Sequence, residues 1–474
     1  MWKSLLLLLA IAQRALGAFG ANPGVKAMLT SKGLEYGKHV GANLLQEKLG
    51  ALSIPAVQGD ISISPFGSVH FSLDSMQVSK FNLPEPTVEF SEGSGIKTGL
   101  AGMNIAVHGN WHTSYQFIKD GGTFDLAVYG VGISLLLSLG SDEAGHLSVS
   151  SSMCDSTVGS TDVSFHGGAS FIFSLFIGEI RRVIQQKIET SICPMITQSV
   201  DGLERHLQEM NVSFQIDPYV LIEIPLLSAP LVGNSDMELD LKGEFYSTRG
   251  HPEPPFPAGA FSLAAQEGRM LALGLSEFFF NSAAFAYMAA GLLQVNLTDS
   301  MLPKTSPVHL NTSSFGAFVP QLPKMFPNML MTVQAFASKP PVVSLQPDNV
   351  TMGLSGAAKV FAILPNSSLA PLFTLESEAS LDAKVFISDM KLTGSLALRS
   401  LTLTLAASEV GEFQTTPLEN LLKMGVQTVV LPKVNEKLKA GFPIPPIYNI
   451  SCVDPVLKVN QGFVTIATDA QYSS

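Results

Sequence analysis

The chain has 474 residues, 46% of them hydrophobic and 14% charged, with a formal net charge of −11 and a mean hydropathy of +0.29. That length exceeds one ordinary domain, so two are expected, and the acidity, with no basic–aromatic pattern, argues against nucleic acid as a partner. The apolar content is more than a normal core takes up, which leaves two classes open, a membrane protein or a protein with a lipid cavity.

Met1 to about Ala18 reads as a secretory signal peptide: Lys3, the apolar run Leu5 to Ala12, then the small residues Ala15, Gly17 and Ala18. The run is too short for a membrane span. A first helix is expected over about Val25 to Leu49, with Gly33, Gly37 and Gly41 on one face. Each glycine costs about 1 kcal/mol relative to alanine in a helix interior. Close approach of a strand backbone would offset that, and so would contact with an acyl chain. The second reading makes Gly37 and Gly41 lipid-contact candidates.

Val69, Phe71 and Leu73 alternate with polar residues, as do Leu147, Val149, Ser151 and Met153 and, later, Leu401, Leu403 and Leu405. Period two predicts sheets with one apolar face. The longest helical signal runs from about Phe171 to Met210. Phe173, Phe176, Ile180, Ile184, Ile188, Ile192, Ile196, Val200, Leu203 and Leu207 step along one stripe, with Pro194 expected to kink it. At 1.5 Å per residue such a helix is roughly 55 Å long, enough to run the length of a domain.

The Pro-rich stretch His251 to Pro257 can continue neither a helix nor a central strand. It divides the chain into a leader (1–18), a first half (22–245), a linker (246–260) and a second half (261–474). The uncharged run Phe278 to Thr298 is broken by Asn281, Gln294 and Asn296 and lacks a basic flank, which favours a buried helix over a span. The halves echo each other. Leu-Leu-Gln recurs at 44–46 and 292–294, and both later helices carry a proline, Pro194 and Pro432.

Secretion favours a disulfide. Of three cysteines, Cys154 and Cys193 are the expected pair and Cys452 is left odd. Six glycosylation sequons, at Asn211, Asn296, Asn311, Asn349, Asn366 and Asn449, fit the same compartment. No nucleophile elbow, HExxH, CxxC pair or phosphate-cradling glycine loop is present, so a binding protein is expected rather than an enzyme. His108 and His112 are four apart, but strand-like surroundings with Gly109 do not make a helical metal face, and no metal is expected.

Several segments resemble the bactericidal/permeability-increasing and lipopolysaccharide-binding protein family. They are Asn22-Pro-Gly-Val25 with Lys32-Gly-Leu-Glu-Tyr36, then Gly243-Glu-Phe-Tyr-Ser247 and Gly274-Leu-Ser-Glu-Phe-Phe-Phe-Asn281. Phe361-Ala-Ile-Leu-Pro-Asn-Ser-Ser-Leu369 and Leu431-Pro-Lys-Val-Asn-Glu-Lys-Leu438 with Gly441-Phe-Pro443 follow in order. The resemblance implies an α+β, boomerang-shaped molecule of two tandem pseudo-symmetric tubular barrels, each a curled antiparallel sheet plus long helices, joined through a central sheet. It also implies a Cys154–Cys193 disulfide in the first barrel, phospholipid held in apolar pockets without any other cofactor, and no enzymatic activity. The implied partners are lipopolysaccharide, phospholipid and the bacterial outer-membrane surface, with neutral-lipid or phospholipid carriage between lipoproteins as the alternative. An esterase is a third class, for which no nucleophile is found.

One departure bears on mechanism. Bactericidal members of the family carry a lysine- and arginine-rich tip on the first barrel. Here the corresponding segment, Gly109-Asn-Trp-His-Thr-Ser-Tyr-Gln-Phe-Ile-Lys119, has Lys119 as its one fixed cation, with His112 able to charge in mild acid. The hairpin Asp60 to His70 has no lysine or arginine, and Asn22 to Asp240 holds 11 basic and 23 acidic residues, a net of −12. Ionic attraction to an anionic surface is therefore expected to be weak or local. Trp111, Tyr115 and Phe117 suit a water–lipid boundary, and ordinary hairpin packing accounts for them equally well.

Overall fold

The computed structural model describes residues 21–49, 53–54, 56–63, 67–115, 118–168, 177–266, 268–302, 308–389, 391–443 and 450–472. The expected signal peptide, Phe117, Phe173, Phe176 and Asn449 lie outside the described residues. The fold is α+β, with two tandem units of antiparallel sheet and long helices meeting at a shared central sheet.

That central sheet has six strands in the order Leu231–Val232, Asp236–Leu241, Val25–Thr30, Leu271–Ser276, Phe463–Tyr472 and Ile450–Asn460. Three come from the first half and three from the second. Val25–Thr30 is the seam, pairing with Asp236–Leu241 on one side and Leu271–Ser276 on the other. The expected first helix is corrected here: these six residues are a strand, and the helix is Ser31–Leu49. Val25 and Met28 are buried in the paired strand, and Lys26 gains its two carboxylate partners, Glu238 and Asp240, from the Asp236–Leu241 edge. Tertiary pairing overrides local propensity at this point.

The first half is an eight-stranded antiparallel sheet built mainly from Gly67–Asn82, Gly95–Tyr115, Ile118–Ser141 and Leu147–Thr157. Its long strands bend at bulges. At one, the register skips between Leu100 and Met103 and again to Ile105, where Gly102 (φ 80°) and Gly130 (φ 64°) adopt the left-handed conformation that other residues rarely take. A second bulge, where Leu136 and Leu137 pair Met153 and Ser151, leaves Ser152 unmatched. The plain alternation from Leu147 to Met153 therefore fails. Met153 turns out to 61% exposure, and Cys154 turns in toward the helix.

That helix is Ile177–Gln208, with Pro194 in its interior. Cys193, next to the proline, is bonded to Cys154, with their Cα atoms 5.8 Å apart. Leu147–Thr157 is an edge strand, and an open edge is an aggregation hazard. The helix covers it: Glu204 accepts from Val149 N (2.6 Å) and Ser148 Oγ (3.0 Å), and Gln185 Nε2 donates to Val158 O (2.8 Å).

The second half repeats the scheme. Asn349–Ile363, Leu369–Ser388 and Lys391–Ser408 form the body of a seven-stranded sheet. A helical run over Thr416–Gly425, Val426–Val430 and Leu431–Ala440 covers Lys391–Ser408. Glu419 accepts from Leu403 N (3.0 Å), and Asn435 bonds both Leu396 N (2.7 Å) and Leu396 O (2.9 Å). The middle segment is a π turn just before Pro432, a local widening that accommodates a residue without an N–H. The expected helix over Phe278 to Thr298 is corrected to Glu277–Ala289 followed by the strand Gln294–Thr298, because Gly291 at φ 76° ends it. Among the described residues no helix is long and apolar enough to cross a membrane. Between Ser247 and Leu271 the described residues form neither helix nor strand.

Candidate functional site

The long helix lays its isoleucines on the inner face of the first sheet. Ile180 is 2% and Ile184 1% exposed, and Ile177, Ile188 and Ile192 continue the stripe at steps of three and four. Phe71, Leu73, Val107, Trp111, Phe124, Leu126 and Val163 oppose them. At one end Phe71, Leu73, Trp111, Phe165, Ile180 and Ile184 surround an apolar cavity of only about 10 Å³, room for about one water molecule. The described side chains close this end of the interior rather than leave it hollow. A wider, open groove of about 530 Å³ runs over the disulfide, lined by Met153, Cys154, Cys193, Pro194 and polar neighbours such as Gln198 and Asp201.

Trp111 is part of the core. It is 2% exposed, its Nε1 donates to His166 O (3.2 Å), and its ring meets Phe165 edge-on at 6.0 Å. Gly122, across the strand pair, makes this possible, because a Cβ there would stand 2.0 Å from His166 O and 2.8 Å from the indole nitrogen. The packing alternative therefore holds for this residue. Tyr115 ends its strand and Lys119 lies exposed on the next, opposite Ser114.

The three glycines of the first helix divide. A Cβ on Gly33 would be 2.4 Å from Met270 O, so this residue lets the helix start press on the central sheet. Gly37 and Gly41 are exposed and have open space where a Cβ would be. Nearby, Glu35, His39 and Glu85 come close enough to hold a cation, but Lys38 Nζ already bonds both Glu35 and Glu85 (2.9 Å to the latter). This is an ion-pair cluster at the surface.

Two family models match, "LBP / BPI / CETP family, N-terminal domain" over residues 33–210 and "LBP / BPI / CETP family, C-terminal domain" over residues 214–472. The chain belongs to the LBP / BPI / CETP family. It is 40% identical to the bactericidal permeability-increasing protein of Sebastes schlegelii, covering 95% of this chain and 96% of that one. It is 32% identical to the lipopolysaccharide-binding protein of Homo sapiens, covering 96% and 95%. A crystal structure of lipopolysaccharide binding protein superposes with a TM-score of 0.58 at 29% identity, over 95% of this chain and 99% of that one. The family is one of non-enzymatic lipid-binding proteins.

Asn211, Asn296, Asn349 and Asn366 are exposed, as attached glycans require. Asn311 is half-buried, and its side-chain oxygen caps the short helix Thr312–Phe315 by accepting from Ser314 N (2.8 Å). Cys452 is a free, half-buried thiol. The structure adds a feature that the sequence reading missed: His70, His108, His112 and His166 share the outward face of the first sheet. Strand parity carried that signal, because each neighbours or alternates with an inward aromatic or valine.

Proposed function

We propose that this is a secreted innate-immune protein that binds bacterial lipopolysaccharide through the acyl chains of lipid A and contributes to defence against Gram-negative bacteria. What carries the reading is similarity along nearly the whole chain, through both family domains, to proteins named for lipopolysaccharide binding and bactericidal action. In this reading acyl chains and phospholipid meet Phe173, Phe176 and the bare helix face at Gly37 and Gly41, Ile180 and Ile184 belong to the packed apolar wall, and Lys119 meets a phosphate. Trp111 supports the wall from within the core, and Tyr115 and Phe117 stand at the lipid boundary. The two lipid-binding units are 22–245 and 261–474, joined by the Pro-rich linker 246–260, and the exposed sequons carry glycans in the extracellular space. Each buried methylene contributes about 0.8 kcal/mol, so four of them favour binding by more than about a hundredfold without any ion pair.

A second reading, a phospholipid or neutral-lipid carrier with weak lipopolysaccharide affinity, is favoured by the first half's net charge of −12 over Asn22 to Asp240, where 11 basic residues face 23 acidic ones. Binding of the purified glycoprotein to immobilised lipid A at low and high salt separates the two. Tight, salt-insensitive binding is expected if acyl chains drive recognition. Absence of binding from a preparation that still carries phospholipid would replace the first reading with the second.

A further inference from the structure

The outer face of the first half's sheet carries histidines and aspartates that the apolar interior does not use. Strand pairing sets His70 on Gly67–Asn82, His108 and His112 on Gly95–Tyr115 and His166 on the edge strand Ser160–His166 toward solvent, each side chain about half exposed. Each meets a carboxylate on a neighbouring strand. His70 Nδ1 lies 3.2 Å from Asp60 and His112 Nε2 lies 3.3 Å from Asp74. Asp125 is shared, with His108 Nδ1 at 2.8 Å from one oxygen and His166 Nε2 at 3.0 Å from the other.

The patch runs from the row through Lys80, Ala106, Ala127 and Asp162 to the row through Asp60, His70, Ser114 and Lys119. Its other outward titratable groups among the described residues are Lys80, Lys119 and Asp162, the last paired with Arg181 from the long helix. Asp120 has the opposite parity and accepts from Gly121 N (2.9 Å). With neutral imidazoles, the four carboxylates Asp60, Asp74, Asp125 and Asp162 against Lys80, Lys119 and Arg181 leave a net of −1; four imidazolium ions turn that into +3.

We propose that this face is an acid-activated docking surface for membranes rich in anionic phospholipid, repelled at neutral pH and attracted in a mildly acidic compartment. Imidazole ordinarily titrates near pH 6.5, between the two conditions. The Asp125 carboxyl is held below the usual carboxylate range, first by the hydrogen bond from His108, so it stays ionised in both conditions. The strands present the charges on a rigid sheet, and each cation near an anionic leaflet adds to the attraction. The proposal does not rest on lipopolysaccharide recognition, since its ligand is the phospholipid surface itself.

The test is co-sedimentation of the full-length mature protein with vesicles of phosphatidylcholine alone, or with phosphatidylglycerol as about a third of the lipid. Adsorption to the anionic vesicles is expected to rise at least about tenfold between about pH 7.5 and pH 5.5, and to fall away in high salt. The variant His70→Asn/His108→Asn/His112→Asn/His166→Asn, its fold checked by Trp111 emission, is expected to lose that rise, and Asp125→Asn to bind better already at neutral pH. Equal adsorption at both pH values, equal adsorption to neutral vesicles, or a pH rise that survives in the four-histidine variant would each overturn the proposal. Loss of lipid A binding with this acid response intact would sink the preceding function alone.

Discussion

Replacing both Cys154 and Cys193 by serine separates the covalent tie from the packing around it. The bond closes a loop across a sequence separation of 39, for which chain entropy alone gives roughly 4 kcal/mol, and measured values usually fall at about 2–4 kcal/mol. Both positions are half-buried, so the serine hydroxyls can be solvated and add little further cost. The hydrogen bonds along the same seam remain: Ser156 Oγ to Glu189 O, Gln185 Nε2 to Val158 O, and the Glu204 clamp on Val149. The helix therefore stays docked in the native state, and the loss is expected at about 3 kcal/mol. With a urea slope near 3 kcal/mol per molar, the midpoint for this half falls by about 1 M. Trp111 is the assay, because the other tryptophan, Trp2, falls in the expected leader and Trp111 is buried against the helix. A midpoint within about 0.2 M of the parent would show that the disulfide does not hold this half together.

Gly33→Ala is expected to cost about 1–3 kcal/mol in urea melts, since the methyl group would overlap Met270 O, and a silent result would mean the helix start is not pressed on the sheet. Gly37→Ala and Gly41→Ala, each in open space, should stabilise delipidated protein by about 0.5–1 kcal/mol; destabilisation there would reveal packing the structure does not contain. Lys26→Met leaves Glu238 and Asp240 facing each other at the seam of the two halves, and should destabilise by about 3 kcal/mol in calorimetry or urea. The Asp469 carboxyl is held below its usual range, chiefly by the hydrogen bond from Lys32. Because the folded-state value is the lower one, this stabilisation is full above about pH 4 and is lost as pH falls through the folded value. Asp469→Asn should flatten that acid limb in melts across the range, and an unchanged limb would assign the acid sensitivity to other groups.

Local pattern was enough for much of the molecule. The isoleucine ladder from Ile180 to Ile192 needs only a period of 3.6 and an apolar partner, and it packs as such. Leu401, Leu403 and Leu405 follow the same logic with a period of two. The first half's acidity, the Cys154–Cys193 pairing and the family segments were also legible without coordinates.

Other features depended on partners far away in sequence. Val25–Thr30 reads as the start of a helix, and becomes a strand because Asp236–Leu241 and Leu271–Ser276 offer it two edges, more than 200 residues away along the chain. Met153 reads as inward, and is turned out by a single unmatched residue, Ser152. Trp111 reads equally as a lipid-boundary aromatic or as hairpin packing, and the structure takes the second because Gly122 leaves the indole a path to His166 O. Sequence alone determined composition, periodicity and kinship, because these are properties of a segment and its near neighbours. Which edges pair, where a register slips and which charges meet across strands were decided only in the tertiary structure, because those energies exist only once distant segments are in contact.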